Sequence, residues 1–342
     1  MRVLLDTTFA RRTPASGTGV YLERLQAALT ELAGLEVIAV ANPRRRAPAG
    51  GGAGSLRNAL ADQWWTQLEL PRRARAARAD LIHHPLPAHC RRAHLPQVVT
   101  VHDLAFERLP AHFDRRYRTY ARLAHRAAAR RAAVVICVSE ATAADVRALW
   151  GVAGEQVIVA HHGPGQLLPE LPRRTATHFL YVGDDEPRKN LAVLLAAYRA
   201  YREASAQPLE LVLAGSARRE GPGVRPVSAP SPAQLAELYA AAAALVHPAA
   251  HEGFGLTLLE AMGAGTPVIV AETAAAVEVC ADAVRYVVAG ESDSLLAALT
   301  GLAGDPEAQA QLSRRGQERA RLFSWAGSAH RHLEAYSSAL RR

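Results

Sequence analysis

Cysteine is scarce in this sequence. The 342 residues contain three cysteines, Cys90, Cys137 and Cys280, and no two of them have a CxxC spacing. Three scattered thiols argue against both a disulfide framework and a zinc site. Without a disulfide framework, the cytoplasm is the favoured compartment.

Long apolar runs are also absent, so the sequence predicts no membrane-spanning helix. The opening run MRVLLDTTFA is too short for a secretory signal and is typical of a first core strand. Aromatic residues make up only 6% of the chain, which leaves few rings for nucleobases to stack on. A net charge of +8 could suggest nucleic acid, but the basic residues are spread through helical stretches such as 115–131, so we predict no nucleic-acid partner. Loose attachment to an anionic membrane surface stays open as an alternative.

Lysine is nearly missing. Lys189 is the only one, and the other 39 of the 40 basic residues (40 − 1) are arginine. One explanation is chance in an arginine-biased, alanine-rich chain. The functional explanation is that a compact ammonium group is needed at this position, where a planar guanidinium cannot replace it.

Apolar runs alternate with helical stretches along the whole chain, which predicts an α/β fold built from parallel β/α units. The predicted strands are 3–5, 37–40, 81–83, 98–101, 134–138 and 157–160, and then 179–182, 209–214, 244–247, 268–270 and 284–287. The predicted helices are 21–32, 63–79, 117–131 and 142–149, and then 191–204, 232–241, 257–263 and 294–302.

A segment rich in proline and glycine, 163–175, separates the two series of strands. We therefore predict a first domain of residues 1–164 and a second of residues 165–324. Residues 325–342 should form a last helix, capped by Ser324, that packs back on the first domain.

Two loops, 43–55 and 218–232, look long and mobile because they are rich in glycine, proline and arginine. Two doubly wound sheets in series would place ligands at the carboxyl ends of their strands. Many enzymes share that layout, so the motifs must decide the function.

The segment HEGFGLTLLEAM, residues 251–262, joins a predicted strand to a predicted helix. Its glycines would let the backbone approach a ligand, and the helix start offers unpaired N–H groups to an anion. Glu252 and Glu260 flank this turn. Considered alone, Thr257 and Glu260 also fit a capping box, in which Glu260 would serve only the start of the helix.

In its wording EGFGLTLLEAMGAGTPVI, this segment resembles the E-x7-E motif of glycosyltransferase family 4. The resemblance implies a GT-B fold, in which two Rossmann-like domains face each other across a cleft. It also implies retaining transfer of a sugar from a nucleotide diphosphate donor. Glu260 would hold the donor ribose and Glu252 the transferred sugar. The backbone N–H groups that face sugar and phosphate would belong to Phe254, Gly255, Leu256 and Thr257.

Residues 181–190, YVGDDEPRKN, resemble the diphosphate-binding segment of the same family, with Arg188 and Lys189 as its cationic pair. Two cations beside a diphosphate leaving group neutralise the charge that a metal ion neutralises elsewhere. The resemblance therefore implies catalysis without a metal and gives the single lysine a reason. The adjacent Asp184 and Asp185 lack the wider spacing of a DxD motif and are interpreted as solvated or locally paired carboxylates.

In the first half, Gly17 and Gly19 of the run GTGVY resemble the glycine-rich loop that approaches the donor phosphates in this family. A GxG turn is weak evidence by itself. The run TVHDL resembles a strand end at the cleft, which makes His102 a candidate catalytic residue and Asp103 its orienting partner. In the second half, Val227 is a candidate for backbone contact with the nucleotide base, from the loop before helix 232–241.

Histidine pairs invite a metal interpretation that the sequence does not support. His161-His162-Gly163 departs from the usual Pro-Asn-Gly of the family at the end of the first domain, and no third ligand is evident for the two histidines. His83 and His84 lie at a strand end where the family has acceptor-cleft residues. We predict no metal site.

The opening Leu5-Asp6, the run GTGVYLERL and the run TVHDL look like bacterial polysaccharide mannosyltransferases. The resemblance favours GDP-mannose as donor, with a UDP-hexose second, and leaves a lipid-linked glycan, a cell-wall polymer or a small natural product as acceptor. It is consistent with a cytoplasmic enzyme that contacts the inner membrane surface. Two alternatives stay open: a nucleotide-sugar epimerase of the same layout and a non-catalytic basic binding protein.

Overall fold

The computed structural model describes residues 1–10, 16–45, 53–166 and 168–342. The chain forms two compact units, one made of Met1–Gly163 together with Ser324–Arg342 and the other of Pro164–Phe323. Most of the loop predicted at 43–55 lies outside the described residues.

The first unit is built around six parallel strands in the order β2-β1-β3-β4-β5-β6. They are β1 (Arg2–Asp6), β2 (Glu36–Val40), β3 (Leu81–His84), β4 (Gln97–Val101), β5 (Val134–Cys137) and β6 (Val157–Val159). Every residue of β3, β4 and β5 is buried, because helices cover both faces of a parallel sheet. The strand order is the flavodoxin-like one with one further strand.

The helices of this unit are α1 (Gly17–Thr30), α2 (Ala53–Trp64), α3 (Leu70–Ala76), α4 (Ala105–Arg108), α5 (Arg115–Arg131), α6 (Glu140–Trp150) and α13 (Trp325–Leu340). As predicted, Ser324 caps the last helix by accepting a hydrogen bond of 3.0 Å from the amide of Gly327. The helix predicted at 63–79 extends instead from Ala53 to Ala76 and is not uniform. A π-helical turn, Trp65–Glu69, interrupts it, and Pro71, which has no N–H to donate, follows in the first turn of α3.

The second unit also contains six parallel strands, in the order β12-β11-β10-β7-β8-β9. They are β7 (His178–Gly183), β8 (Glu210–Gly215), β9 (Val224–Ser228), β10 (Ala242–His247), β11 (Val268–Ala271) and β12 (Arg285–Val287). Numbered within the unit, this is the Rossmann order 3-2-1-4-5-6. Its helices are α7 (Leu191–Ala204), α8 (Pro232–Ala241), α9 (Leu256–Gly263), α10 (Ala274–Cys280), α11 (Ser292–Ala303) and α12 (Pro306–Ala320).

Three elements of the second unit were not expected. The segment 218–232, predicted as a loop, contains β9, whose Pro226 hides the strand pattern and is tolerated because β9 is an edge strand. Helix α10 is only seven residues long. Helix α12 is polar and buries only Gly316 and Ala320, so its apolar period is weak.

A row of five buried polar side chains connects α1, α13, β3 and β4 in the first unit. Each is fully buried, and the hydrogen bonds run in one line: Tyr336 Oη to His83 Nδ1 (2.9 Å), His83 Nε2 to Thr100 Oγ1 (2.8 Å), Thr100 Oγ1 to Tyr21 Oη (3.0 Å) and Tyr21 Oη to His332 Nε2 (3.0 Å). The row ends where His332 Nδ1 meets the carbonyl oxygen of Ser328 at 2.7 Å.

The carbonyl of Ser328 determines the direction of every hydrogen bond in the row. Burial lowers the pKa of His332 to about 4 and holds that of His83 well below its usual value, so both rings are neutral. A carbonyl only accepts, so His332 donates from Nδ1 and accepts from Tyr21 at Nε2. Tyr21 must then accept from Thr100, Thr100 from His83 Nε2, and His83 Nδ1 from Tyr336.

We expect Tyr21→Phe to lower the free energy of unfolding by about 1–3 kcal/mol, because it leaves the buried acceptor of His332 and the donor of Thr100 without partners. Urea titration of the full chain measures this loss. Tyr117→Phe is the matched control, since Tyr117 is exposed and should change stability by less than about 0.5 kcal/mol. Equal stability of the two variants would show that the hydrogen bonds of Tyr21 contribute nothing to stability.

Candidate active site

The strand order of the second unit locates the candidate site. The order reverses between β7 and β10, and ligands of such sheets bind at the carboxyl ends of the strands beside that reversal. At the same edge β7 and β8 end in Gly183 and Gly215, with φ of +155° and +124°. A Cβ on Gly215 would lie 2.5 Å from the carbonyl oxygen of Gly183, so bare backbone is required there.

The cationic pair lies on the turn that follows β7. Residues Pro187–Lys189 form a 3-10 turn, closed by a hydrogen bond of 2.9 Å from the amide of Lys189 to the carbonyl of Glu186. The guanidinium of Arg188 lies 2.7 Å from the carboxylate of Glu186. The amide of Ala250 donates to the carbonyl of Arg188 at 2.9 Å, which ties this turn to the loop after β10.

Glu252 is the centre of the site. Its Oε1 accepts from the Nζ of Lys189 and, at 2.9 Å, from the Nε2 of His247, the last residue of β10. Burial acts to raise the pKa of Glu252, but Lys189 and His247, with Arg188, outweigh it and hold that pKa well below its usual value. In the described part of the chain its Oε2 has no hydrogen-bond partner, so one oxygen of an ionised carboxylate is open to a ligand.

The start of α9 lies directly after this carboxylate. Gly255 caps the helix with φ +96° and no side chain, and its carbonyl accepts from Leu258 at 3.0 Å. The amides of Leu256 and Thr257 have no partner within the described ranges, so they face outward at the positive end of the helix. The ring of Phe254 is buried edge-on against Phe323, at 5.9 Å between centroids.

The capping-box interpretation of Glu260 is wrong. Helix α9 begins at Leu256, so Thr257 is not its cap, and the cap residue makes no side-chain hydrogen bond. Glu260 is buried at 7% exposure, where Oε1 accepts from the amide of Gln166 (2.7 Å) and Oε2 from the hydroxyl of Tyr239 (3.1 Å). Glu260 is therefore held by residues distant in the sequence and not by the local hydrogen bonds of a capping box.

The two carboxylates of the motif differ in charge. Burial raises the pKa of Glu260 to about 7, although the hydrogen bonds from Gln166 and Tyr239 favour the ionised form. A side chain at Gly165 would clash with the carboxylate, so only glycine allows the next amide to reach it. Glu260 thus changes charge near neutral pH, while Glu252 stays ionised.

His102 follows β4 in the first unit. Its Nε2 donates to the carbonyl of Pro85 at 3.0 Å, and its ring packs edge-on against Tyr21 at 4.8 Å. Burial lowers the pKa of His102 to about 4, although the negative charge of Asp103 acts to raise it. The expectation that Asp103 orients this ring is wrong, since its carboxylate accepts from the amide of Ala105 at 2.9 Å and the carbonyl of Pro85 holds the ring.

Three other predicted residues occupy different elements than expected. Gly17 and Gly19 lie inside the first turn of α1, where Ser16 caps the amide of Gly19 at 3.1 Å, and not in a loop before the helix. Val227 lies in the edge strand β9, paired with Ala214 of β8, and not in a loop. Their predicted contacts with the donor stay predictions.

The histidine pairs have packing roles. His84 donates to the Oε1 of Gln97 at 3.0 Å, and His162 stacks on Trp325 with 5.3 Å between ring centroids. In the part of the chain that the structure describes, no group of three or more His, Cys, Asp or Glu side chains has a metal-binding arrangement.

Sequence reasoning missed His247 and Tyr239, which contact Glu252 and Glu260. His247 could have been predicted as a site residue, because it is the last residue of a predicted strand and His102, which was predicted, directly follows another. Tyr239 gives no local signal, because its partner is 21 residues away in the chain.

Two protein-family models match the chain: "Glycosyltransferase Family 4" over residues 15–164 and "Glycosyl transferases group 1" over residues 169–319. The chain belongs to the glycosyltransferases of group 1 and family 4. It is therefore a transferase enzyme, which sets aside the non-catalytic binding protein.

Among curated relatives of this glycosyltransferase, "O-antigen chain mannosyltransferase B" of Escherichia coli is 26% identical over 75% of this chain and 74% of its own. "MMP alpha-(1->4)-mannosyltransferase" of Mycolicibacterium hassiacum is 30% identical over 63% of this chain and 56% of its own. Further curated relatives are matched over half of their length or less.

The structure of Anabaena HepE in complex with UDP-glucose is similar over 99% of this chain and 100% of its own, with a TM-score of 0.70 and 18% identity. At that identity the likeness shows the fold alone. The fold is GT-B, as predicted, with a parallel six-stranded sheet and flanking helices in each unit.

We expect Glu260→Gln to change how stability depends on pH. Between pH 4.5 and 7 the native Glu260 binds more protons than the unfolded chain does, so the wild-type free energy of unfolding falls as pH rises, by about 3 kcal/mol in total. The glutamine variant lacks this fall, so its melting temperature should rise relative to wild type from pH 5 to pH 8.

The measurement is thermal unfolding of the unliganded chain at four pH values. Glu203→Gln is the control, since Glu203 is exposed on α7 and makes no ion pair within the described residues. Parallel profiles for wild type and Glu260→Gln would show that the pKa of Glu260 is not raised.

Proposed function

We propose that this enzyme transfers a hexose from a nucleoside diphosphate sugar to a hydroxyl acceptor, with retention of the anomeric configuration and without a metal ion. The observation that carries the proposal is the ionised carboxylate of Glu252, with one open oxygen, between Lys189 and the open amides of Leu256 and Thr257. Such a site offers an acceptor to sugar hydroxyls and donors to a diphosphate.

The diphosphate would be neutralised by Arg188 and Lys189. Both cations are already held in place, Arg188 by Glu186 and Lys189 by Glu252, so little reorganisation is needed when charge develops on the leaving group. The amides at the start of α9 add two further donors, aided by the helix dipole. Glu260, buried beside Gln166 and Tyr239, is proposed to accept the hydroxyls of the donor ribose.

Retention is proposed to occur by front-face attack assisted by the departing phosphate. Positive charge develops on the anomeric carbon as the glycosidic bond breaks. Glu252 is a poor candidate for a covalent nucleophile, because Lys189 and His247 both hold its Oε1 and its pKa is low. It suits the role of a fixed negative partner for the transferred sugar. His102, neutral and held by Pro85, is proposed to lie near the reacting sugar.

For the donor we propose GDP-mannose first, because both curated relatives reported above carry the name mannosyltransferase. A UDP-hexose is second, because the similar HepE structure holds UDP-glucose. The acceptor is proposed to be a glycan or a lipid-linked precursor, as the name of the O-antigen relative suggests.

The direct test is transfer itself. The full chain is incubated with GDP-mannose or a UDP-hexose and a hydroxyl acceptor, and the anomeric configuration of the product is read by NMR. We expect a retained configuration and equal rates in EDTA and in magnesium. Loss of transfer on chelation, restored by a divalent ion, would contradict the metal-free mechanism. A donor sugar altered without acceptor would indicate an epimerase.

Substitution separates the two carboxylates. At about pH 8 and above, where Glu260 is mostly ionised, Glu260→Gln should weaken nucleoside diphosphate binding about 10- to 150-fold, because hydrogen bonds to a charged group are worth roughly 1.5–3 kcal/mol. Glu252→Gln should lower turnover far more than affinity for the bare nucleotide, since its proposed partner is the sugar. Titration calorimetry and initial rates measure both. Equal losses of nucleotide affinity would mean that the two roles are wrongly assigned.

A further inference from the structure

Glu260 is held by two donors that lie far from it in the sequence, and one of them is the side chain of a fully buried tyrosine. Tyr239 belongs to α8, and its hydroxyl donates to Oε2 of Glu260 at 3.1 Å. Burial, together with the charge of Glu260, holds the pKa of Tyr239 well above its usual value, so the hydroxyl stays protonated and donates. Within the described ranges this hydroxyl has no other hydrogen-bond partner.

The backbone of Tyr239 is fixed from two sides. Its carbonyl oxygen accepts from Nη1 of Arg173 at 2.6 Å and from Oγ1 of the buried Thr266 at 2.8 Å. Arg173 also donates to the carbonyl oxygens of Ala240 (3.0 Å) and Ala242 (2.6 Å), and it thereby satisfies the end of α8. These contacts give the Tyr239 hydroxyl a fixed position against which the carboxylate is placed.

The other oxygen of the carboxylate is held by backbone. The amide of Gln166 donates to Oε1 of Glu260 at 2.7 Å, and a Cβ on Gly165 would clash with that oxygen. Glycine at 165 therefore lets the chain pass close enough for the next amide to reach the carboxylate. Both oxygens have a donor in place, and each keeps a second lone pair for a ligand hydroxyl.

The elements around Glu260 carry several titratable side chains, and Tyr239 is the one that acts on it. Besides α8, the elements packed against α9 are α10, α12, β10 and β11. With the loop before α9, they carry Glu237 and Tyr239 of α8, His247 of β10, Glu252 of the loop, Glu278 and Cys280 of α10, and Glu307, Arg314, Arg315, Glu318 and Arg319 of α12. Among the described residues, the pKa of Glu260 responds to burial, which raises it, and to the donors Gln166 and Tyr239, which lower it. Burial and two hydrogen bonds therefore set its ionisation.

We propose that Tyr239 is a positioning residue for donor binding: with the amide of Gln166 it keeps the Glu260 carboxylate in place and ionised, so that affinity for a nucleoside diphosphate sugar depends on pH close to neutrality. The proposal rests on the proposed function in one respect, the contact of Glu260 with the donor ribose. Because the pKa of Glu260 is raised to about 7, its ionised fraction grows from about one-tenth at pH 6 to about nine-tenths at pH 8. The ionised form accepts the stronger hydrogen bonds, so donor affinity should rise about tenfold over that range.

The test is Tyr239→Phe, which removes one donor and keeps the ring. Loss of a hydrogen bond to a charged acceptor should move the titration of Glu260 about one to two pH units higher. Donor affinity should then fall about 5- to 50-fold at pH 7 but about twofold or less at pH 9, where the carboxylate of the variant is largely ionised again. Calorimetric titration of the full chain with GDP-mannose and with UDP-glucose, in EDTA and without acceptor, measures this loss. The ratio to wild type at each pH cancels the titration of the donor itself.

A second readout needs no donor. In a chain labelled with carbon-13 at the glutamate carboxyl carbons, the NMR signal of Glu260 is the one that Glu260→Gln removes. Its chemical shift follows ionisation directly, and its midpoint should move up in Tyr239→Phe. The midpoint should also move up in Gly165→Ala, because the added methyl group displaces the amide of Gln166 from Oε1.

Each variant has a matched control in the same unit. Tyr198 is also buried, and its hydroxyl donates at 2.9 Å to the carbonyls of Leu209 and Gly223, so Tyr198→Phe removes a similar hydroxyl without touching Glu260. Gly301→Ala is the control for the glycine, since a Cβ there would lie in open space. Neither control should move the midpoint, and thermal melting checks that every variant folds.

Equal affinity losses of Tyr239→Phe at pH 7 and pH 9, with an unmoved Glu260 midpoint, would reduce the tyrosine to a packing role and overturn the proposal. A midpoint that moves as much in Tyr198→Phe would do the same. If neither donor binds the wild type at any pH, the proposed function is refuted and only the placement of Glu260 by Tyr239 stands. Donor binding with an unmoved midpoint would leave the proposed function standing and refute this inference.

Discussion

One shared carboxylate oxygen organises the candidate site. Oε1 of Glu252 joins Lys189, on the turn after β7, to His247, at the end of the neighbouring strand β10. The Glu252 side chain is only 12% exposed, and a buried carboxylate is costly unless it is paired, so these two contacts favour the observed arrangement of the two loops. Because Glu252 is followed within three residues by the cap of α9, the same contacts set the position of the open amides of that helix. The charge of Glu252, the geometry of the two loops and the position of the start of α9 thus depend on each other.

Much of the fold follows from local pattern. Helix α7 has the predicted bounds, and most predicted strands differ from the observed ones by a residue or two, because buried parallel strands are continuous apolar runs between turns. The pattern fails where another constraint competes with it. Pro226 conceals β9, and a π-helical turn splits the helix before β3. Neither an edge position nor a π turn has a clear signature in a single sequence.

The site residues that are close together in the sequence could be predicted, but their contacts with distant residues could not. The spacing of Glu252 and Glu260 and the pair Arg188–Lys189 are visible in sequence, yet the contacts that give each group its charge are not. Tyr239 and Gln166, which are distant from Glu260 in the sequence, donate hydrogen bonds to its carboxylate. The capping-box interpretation failed because α9 begins at Leu256, one residue earlier than the sequence predicts. Asp103 failed for a similar reason, since the adjacent backbone amide of Ala105 takes its carboxylate before the histidine can.

The buried row from Tyr336 to Ser328 has a consequence for biosynthesis. Three of its partners belong to α13, and Ala329, Ala335 and Ala339 of the same helix complete the core around β1, β3 and β4. A ribosome makes the strands of this unit first and α13 after the whole second unit. Until then His83, Thr100 and Tyr21 have no complete set of partners. The first unit to be synthesised is therefore the last to finish folding, and the nascent chain must hold an open core while some 160 intervening residues emerge.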